Sequence, residues 1–221
     1  MKKILKILAT IVIAYSIIVM LLSILYIFAP PVSTLMLARW ITLQHVAYTP
    51  VPLRSISHSL VRMVIRAEDS KFCNHHGIDW NSLEHTIEDA ATEDGPSRGA
   101  STIPMQVTKN LFLWPHHSYV RKAAEIPLAM ALNILWSKSR MIEVYLSVAQ
   151  WGNGIFGAEA AAQAYFHKPA SKLTQGEAAL LAAALPNPTR RNPAHPSAYH
   201  SRYANILLKS AGENMDMSCL R

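Results

Sequence analysis

Two acidic residues stand in a setting that suits proton transfer. Glu68 and Asp69 follow an apolar stretch and precede a turn at Gly77, where the wall of a cleft would end. A carboxylate held there can act as the general base for an attacking hydroxyl group. An acidic pair alone is weak evidence, because most such pairs lie on a solvated face. The pair therefore supports a catalytic role only if a second cluster of suitable residues accompanies it.

The second cluster is a row of polar side chains that ends in a cation. Thr102, Gln106 and the Lys109–Asn110 pair fall on one face of a predicted helix, because residues three or four apart are neighbours on a helix. When the leaving group of a sugar transfer is a pyrophosphate, cations stabilise the charge that develops on it. The row predicts a site for such a group.

The start of the next predicted helix adds two further cations. Arg121 and Lys122 stand where free backbone N–H groups also favour anions. Glu125 lies one turn further, on the face of Arg121. An ordinary surface ion pair between residues four apart is the alternative explanation, and it would be preferred if this cluster stood alone.

These clusters belong to a series of five motifs. In order they are Glu68-Asp-x-x-Phe72-x-x-His75-x-Gly77-x-Asp79, Gly99-Ala-Ser101-Thr102-Ile-x-x-Gln106-x-x-Lys109-Asn110-Leu-Phe, Arg121-Lys122-x-x-Glu125, Ser137-Lys138 to Gly157 with Glu143, Tyr145 and Gly152-Asn153-Gly154-Ile155-Phe156-Gly157, and Leu173-Thr174-x-x-Glu177-Ala178-Ala179 through Leu185-Pro186-x-Pro188. The series resembles the peptidoglycan glycosyltransferases, whose transglycosylase domain also opens the class A penicillin-binding proteins. Because the chain stops soon after the fifth motif, it is similar to the stand-alone, monofunctional form.

The resemblance implies a substrate and a set of site residues. Lipid II, the undecaprenyl-pyrophosphoryl disaccharide-pentapeptide, would supply the accepting 4-hydroxyl group, and the growing lipid-linked glycan chain would be the donor. Glu68 would be the general base, and Glu125 the second catalytic glutamate, which assists at the donor pyrophosphate. The residues expected to bind substrate are Ser101, Thr102, Gln106, Lys109, Asn110, Arg121 and Lys122. The residues expected to be structural are Phe72, His75, Asp79 and, as a buried carboxylate, Glu143.

The expected geometry follows from the reaction. The carboxylates of Glu68 and Glu125 should face one cleft, but stand wider apart than the roughly 5–5.5 Å of a retaining glycosidase. Lys109 and Arg121 should lie on the side of Glu125, and the cleft should open toward the membrane anchor, where the lipid tail leaves.

Two positions depart from the family pattern. Met105 stands where many members carry the first glutamine of a pair, and Ser147 stands where an asparagine usually follows Tyr-Leu. Neither change removes an ionisable group, so activity is expected to be retained. The resemblance implies no required cofactor. Members of the family can use a divalent metal, Mg²⁺ or Mn²⁺, at the donor pyrophosphate. The sequence shows no dedicated set of metal ligands.

The N-terminal residues are predicted to anchor the chain in a membrane. From Ile7 to Ala29 there is no charged side chain, and about 20 apolar residues cross a ~30 Å hydrocarbon layer as a helix. Lysines before the run hold that end in the cytoplasm. A cleaved signal peptide is the alternative, but its apolar core spans only roughly 7–15 residues. Residues 1–31 are thus predicted to be the cytoplasmic tip and transmembrane anchor of a single-pass protein of the bacterial inner membrane, with the rest on the periplasmic side.

The remaining chain is predicted to be helical. Residues 32–52 are interpreted as a juxtamembrane amphipathic segment and linker, with a first core-packing helix as the alternative. Residues 53–221 are predicted to be the catalytic domain, for which the resemblance implies an all-α, lysozyme-like fold with two lobes. A loop at 91–99 is predicted to be mobile, and the last helix, from Ser197, is expected to end in a frayed tail.

The net charge of +7 indicates an anionic partner. Beside a membrane such a surface can bind anionic headgroups, and a lipid phosphate or pyrophosphate is the more natural partner. The predicted topology argues against nucleic acid, because it places the domain outside the cytoplasm. The implied partners are lipid II, the growing chain and the membrane, with other cell-wall synthesis proteins as a further option. Cys73 and Cys219 are permitted to form a disulfide in that compartment, but two cysteines do not make a disulfide framework.

Two other functions compete with glycan synthesis. A lysozyme-like peptidoglycan-cleaving enzyme would also use a glutamate in an α-helical cleft. It has less use for a row of cations, because its leaving group is a sugar hydroxyl group. An inactive membrane scaffold is the other alternative, and the complete set of carboxylates and cations argues against it.

Overall fold

The computed structural model of this chain describes residues 2–90, 101–116, 118–210 and 215–220. The loop predicted at 91–99, and Gly99 and Ala100 of the second motif, lie outside the described residues. Helices make up most of what is described, which confirms the all-α prediction. They are α1 (Lys2–Leu25), α2 (Thr34–Ile41), α3 (His58–Glu68), α4 (Trp80–Ala90), α5 (Ile103–Phe112), α6 (Tyr119–Leu135), α7 (Lys138–Val148), α8 (Ala158–Phe166), α9 (Gln175–Ala184) and α10 (Ala198–Ser210).

A small sheet is the main feature that the sequence-based prediction lacks. Its strands are β1 (Ala47–Tyr48), β2 (Gln150–Gly152) and β3 (Ile155–Phe156), and β3 pairs with β1 in parallel and with β2 in antiparallel orientation. Strands this short carry too little periodicity to be recognised. Gly154 turns between β2 and β3 at φ +75°, where a Cβ atom would lie 2.6 Å from the carbonyl oxygen of His45.

Helix α1 is long and apolar enough to cross a membrane, with 24 residues and a mean hydropathy of 2.7 in its most apolar window. Its last part lies against the domain. The Tyr15 hydroxyl donates to the carbonyl of Phe112 (2.7 Å), and the Trp136 indole donates to the carbonyl of Ser23 (2.9 Å). The C-terminal half of α1 is therefore fixed to the end of α5 and to α6.

The segment 32–52 packs on the domain. Met36 of α2 is fully buried, and the Thr34 hydroxyl donates to the carbonyl of Leu113 (2.9 Å). On its other side, Trp40 and Ile41 are exposed. Helix α2 is thus a core-packing helix that also presents an apolar rim.

The core brings together the helices that carry the predicted site. Helix α5 packs between α6 and α7, and α3 packs on α9. Helix α9 begins with the predicted capping box of Thr174 and Glu177, and its buried alanines allow close approach of its neighbours. Because Glu68 ends α3, Lys109 lies on α5 and Glu125 lies on α6, this packing sets the distances within the site.

A disulfide joins Cys73 to Cys219. Cys73 lies in the turn that follows Glu68, so the disulfide holds the end of the chain against that turn. Met217 and Leu220 also pack against the core. The prediction of a frayed tail is therefore wrong for residues 215–220, because a covalent bond and apolar contacts fix them.

Replacing both cysteines with serine is expected to lower the free energy of unfolding by roughly 2–4 kcal/mol. The bond closes a loop across 146 residues, and its loss returns that conformational freedom to the unfolded chain. Thermal unfolding of the detergent-solubilised protein, with and without reductant, measures the effect. Reductant should lower the midpoint of the wild type and leave that of the double variant unchanged. Equal midpoints for both proteins without reductant would contradict the expectation.

Candidate functional site

Helix α3 carries Glu68 into the site at its last residue. Ser57 is the N-cap of the helix, and its hydroxyl oxygen accepts a hydrogen bond from the N–H of Leu60 (3.2 Å). Loss of hydration raises the pKa of Glu68. A hydrogen bond from Gln106 Nε2 to Glu68 Oε2 (2.7 Å) and the charge of Lys109 oppose that rise. A half-buried carboxylate with one amide donor and a nearby cation is a suitable general base.

The turn after Glu68 is tied to the start of α5 by Asp69. This buried carboxylate accepts hydrogen bonds from the backbone N–H of Ile103 (2.9 Å) and from His75 Nε2 (2.9 Å). The Gly77 N–H donates to His75 Nδ1 (3.2 Å), so the proton of the neutral ring lies on Nε2 and points at Asp69. Asp69 belongs to the first motif and Ile103 to the second, so the buried Asp69 carboxylate links these two motifs.

Gly77 allows the same turn to approach α6. Its φ is +99°, and a Cβ atom there would lie 2.9 Å from the carbonyl oxygen of Ala129. Its own carbonyl accepts from the Thr102 hydroxyl (2.6 Å). Thr102 is buried, and its hydroxyl oxygen also caps the N–H of Met105 (3.4 Å). The described contacts of Thr102 therefore stabilise the start of α5.

Lys138 supports the turn from α7. Its ammonium donates to the carbonyl of His75 (2.7 Å) and lies 4.6 Å from the centroid of the Phe72 ring. Burial lowers the pKa of Lys138 to about 8, against the opposing charge of Asp69. A lysine at the start of a helix gives no sequence signal for such a contact, because its partners are distant in the chain.

The charged cluster on α6 is buried. Glu125 is 1% exposed and Arg121 is 5% exposed. One Glu125 oxygen accepts from the Arg121 guanidinium, and the other accepts from Lys122 Nζ (3.0 Å). Arg121 Nε also donates to the carbonyl of His116 (3.0 Å), and Lys122 Nζ to the hydroxyl of Ser101 (3.0 Å). Since buried charges are costly unless paired, an ordinary surface ion pair does not describe this cluster.

Lys109 connects the two halves of the site. Loss of hydration lowers the pKa of its ammonium, whereas the carboxylates of Glu125 and Glu68 both raise it. In the described part of the chain its ammonium forms no ion pair, and no hydrogen bond joins Glu68 to Glu125. Lys109 is thus a partly desolvated cation within electrostatic reach of two separated carboxylates.

Tyr145 of the fourth motif fixes the amide of Gln106. Its hydroxyl donates to Gln106 Oε1 (3.2 Å), which directs Gln106 Nε2 at Glu68. Tyr145 is fully buried, and loss of hydration raises the pKa of its hydroxyl well above its usual value, so it stays a donor. The chain from Tyr145 through Gln106 to Glu68 aligns the base.

The other positions singled out in the sequence have structural contacts. Asn110 accepts from the Thr34 hydroxyl through its backbone carbonyl (3.2 Å). Glu143 accepts from the N–H of Leu53 (2.6 Å), and its side chain is 20% exposed, so it is half-buried rather than buried. The departures from the family pattern are accommodated as well. Met105 is fully buried, and the Ser147 hydroxyl donates to the carbonyl of Glu143 (2.9 Å).

One cation near the base has no assignment in the sequence motifs. Arg191 donates to the carbonyl of Ala183 (2.6 Å), and its charge contributes to lowering the pKa of Glu68. It lies 5.2 Å from the Tyr199 ring centroid. The proline-rich stretch around it is basic in sequence, but only the fold brings the charge of Arg191 within electrostatic reach of Glu68.

Comparison with known proteins finds a matching family model and several related sequences. The family model described as Transglycosylase matches residues 36–211. The biosynthetic peptidoglycan transglycosylase of Agrobacterium fabrum (strain C58) is 51% identical over 185 residues, covering 83% of this chain and 81% of that protein. Those of Brucella suis biovar 1 and Rhodospirillum centenum are each 51% identical, over 180 and 162 residues, covering 81% and 73% of this chain and 80% and 70% of the relatives. The ordered motifs, the helical domain that assembles them and these matches show that the chain belongs to the transglycosylase family.

Proposed function

We propose that this protein polymerises lipid II into β-1,4-linked glycan strands and releases undecaprenyl pyrophosphate, for bacterial cell-wall synthesis. The observation that carries the proposal is the division of the site along α5. A carboxylate with a raised pKa lies on one side at Glu68, and a cluster of cations lies on the other around Glu125. Lys109 interacts electrostatically with both.

The reaction uses the two sides at once. Glu68 takes the proton from the 4-hydroxyl group of lipid II, and that oxygen forms a bond to the anomeric carbon of the donor chain. The bond from this carbon to the donor's pyrophosphate breaks, and the electron pair leaves with the phosphate oxygen. Lys109 and Lys122 stabilise the charge of the departing group. Glu125 holds Lys122 and Arg121 in place through the buried ion pairs.

The residues around Glu125 do not fit a divalent metal. Mg²⁺ is bound by free carboxylate oxygens, phosphates and water, whereas both oxygens of Glu125 accept from cationic side chains, Arg121 and Lys122. Among the described residues, no group of three or more His, Cys, Asp or Glu side chains could hold a metal ion. In the proposed reaction, Lys109 and Lys122 supply the positive charge at the donor pyrophosphate.

The proposed location is the bacterial inner membrane, with α1 as a single-pass anchor and the domain on the periplasmic side. The length and hydropathy of α1 support this location, and so does the disulfide between Cys73 and Cys219, which suits an oxidising compartment. Lipid II, the growing lipid-linked chain and the membrane are the proposed partners, together with other cell-wall synthesis proteins.

Incubation of the full-length, detergent-solubilised protein with labelled lipid II tests the proposal. Glycan polymer is the expected product, and gel electrophoresis resolves it by length. Release of fragments from preformed peptidoglycan would instead identify a cleaving enzyme. If neither product forms, the protein would instead be an inactive membrane scaffold.

Replacing Gln106 with leucine is expected to shift the acidic limb of the pH–rate profile to higher pH. The Gln106 amide stabilises the ionised form of Glu68, and so lowers the pKa of its carboxyl group. Without this donor the pKa rises further, and a smaller fraction of Glu68 is the active base at a given pH. Measuring kcat/KM between pH 5 and pH 9 for both proteins checks the shift; an unmoved limb would contradict the role of Gln106.

A further inference from the structure

The segment that follows Glu68 depends on the rest of the molecule for its shape. Residues 69–79, which we call the turn segment, connect α3 to α4 through turns and bends. One of these turns is closed by the N–H of Phe72, which donates to the carbonyl of Asp69 (3.0 Å). Irregular backbone of this kind opens easily unless tertiary contacts hold it. The turn segment nevertheless positions Glu68 at one end and, through Asp69, the start of α5.

A covalent bond holds the middle of the turn segment. Cys73 lies between Asp69 and Gly77, and its disulfide to Cys219 crosses 146 positions of the chain. Both cysteines are half-buried, so a thiol in solution can reach the bond. Because the chain has two cysteines, their oxidation within one molecule has a single product.

The other end of the disulfide is attached to helix α7. Cys219 belongs to a short 3₁₀ turn, Ser218–Leu220, which packs on α7. Helix α7 also contacts the turn segment directly, since Lys138 donates to the carbonyl of His75 (2.7 Å). The turn segment, the disulfide, the end of the chain and α7 therefore form a closed loop of contacts. The disulfide is the covalent contact in this loop, and reduction reverses it.

We propose that the Cys73–Cys219 disulfide is a redox modification that controls the catalytic base. The oxidised protein polymerises glycan at the full rate, whereas the reduced protein stays folded but holds Glu68 less precisely and is slower. Reduction leaves the turn segment to noncovalent contacts, such as those of Asp69 and Lys138. This inference rests on the proposed function and adds a chemical step that regulates it.

The step is a thiol–disulfide exchange with a disulfide-bonded oxidant outside the cytoplasm. The thiolate of one cysteine attacks the oxidant's disulfide, which forms a mixed disulfide and releases one thiolate of the oxidant. The thiolate of the other cysteine then attacks the mixed disulfide, closes the Cys73–Cys219 bond and releases the second thiolate of the oxidant. The chain loses two protons and two electrons, and the oxidant is reduced to its dithiol form. Because thiols stay reduced in the cytoplasm, the site becomes fully active only after export.

Polymerisation of labelled lipid II by the oxidised and the reduced wild type tests the inference. Treatment of the full-length, detergent-solubilised protein with a thiol reductant should lower kcat roughly tenfold. This is less than the roughly 10²-fold effect of a 1 Å misplacement, because the noncovalent contacts remain. KM should change little, since the cations proposed for the pyrophosphate lie on α5 and α6 rather than on the turn segment. Oxidised glutathione should restore the rate.

Two variants separate control of the base from simple stabilisation of the fold. The double variant Cys73→Ser, Cys219→Ser should have the low rate with and without reductant, which excludes an effect of the reductant on the assay. Leu207 is a buried residue of α10, and Leu207→Ala lowers the unfolding midpoint by leaving a cavity. Assayed well below its midpoint, Leu207→Ala should keep the kcat of the oxidised wild type.

The inference and the proposed function fail in different ways. An unchanged kcat after complete reduction, confirmed by mass spectrometry, would overturn the inference. So would an equal loss of kcat in Leu207→Ala, or a loss of helix content on reduction measured by circular dichroism, because either result would show that the disulfide acts through overall stability. If the oxidised wild type forms no polymer, the proposed function itself is contradicted.

Discussion

Replacing Glu68 with glutamine is expected to lower the rate of glycan polymerisation by roughly 10²–10⁴-fold, the usual contribution of a general base. Glutamine keeps the shape of the side chain and can still bond to Gln106, but it has no basic oxygen to accept the proton of the 4-hydroxyl group. The loss should lie in kcat, because lipid II binding depends on other groups. Steady-state polymerisation of labelled lipid II measures both constants.

The same substitution should not destabilise the protein. Loss of hydration raises the pKa of Glu68 in the folded state, so the folded protein binds this proton more tightly than the unfolded chain does. The corresponding stabilisation is present below the unfolded pKa and is lost as the pH rises through the folded pKa. Above the folded pKa the ionised carboxylate therefore opposes folding, and Glu68→Gln removes that penalty.

Thermal unfolding separates a lost base from a damaged fold. Glu68→Gln should unfold at or above the wild-type midpoint at pH 7, and the difference should shrink as the pH is lowered. Glu84→Gln, at an exposed position of α4, is the matched control and should leave both rate and midpoint unchanged. Polymerisation by Glu68→Gln at nearly the wild-type rate would show that another group takes the proton.

Local patterns were sufficient to predict the helices that carry the site. The polar row from Thr102 to Lys109 lies on α5 as expected, with Thr102 as its N-cap and Pro104 in its first turn. The capping box at Thr174 begins α9. These features depend on residues three or four apart, and a single sequence contains that information.

The contacts that hold the site rigid could not be predicted in the same way. Asp69 bonds to the backbone of Ile103 across 34 positions, and Lys138 bonds to His75 across 63. Neither contact produces a periodic pattern in the sequence, because both contacts arise from the packing of α3, α5 and α7. The burial of Glu125 is of the same kind: the spacing from Arg121 permits an ion pair, but only the tertiary structure removes it from water.

Replacing Lys109 with methionine is expected to lower kcat by roughly 10²–10³-fold, the cost of removing one preorganised group that stabilises developing charge. Methionine keeps the length and apolar stem of the side chain. It removes a cation whose pKa is already lowered by loss of hydration, so the fold should tolerate the change. The exposed Lys209 on α10 provides the control Lys209→Met, which should retain the wild-type rate.

The pH dependence of Lys109→Met separates two ways in which this cation could act. The charge of Lys109 lowers the pKa of Glu68, so its removal also moves the acidic limb of the pH–rate profile to higher pH. If that were its only effect, the variant would recover the wild-type rate once the pH exceeded the new limb. A cation that stabilises the departing pyrophosphate is needed at every pH. We therefore expect the rate of Lys109→Met to stay low on the plateau above the acidic limb. Full recovery of the rate there would show that Lys109 does not stabilise the pyrophosphate and acts only by lowering the pKa of Glu68.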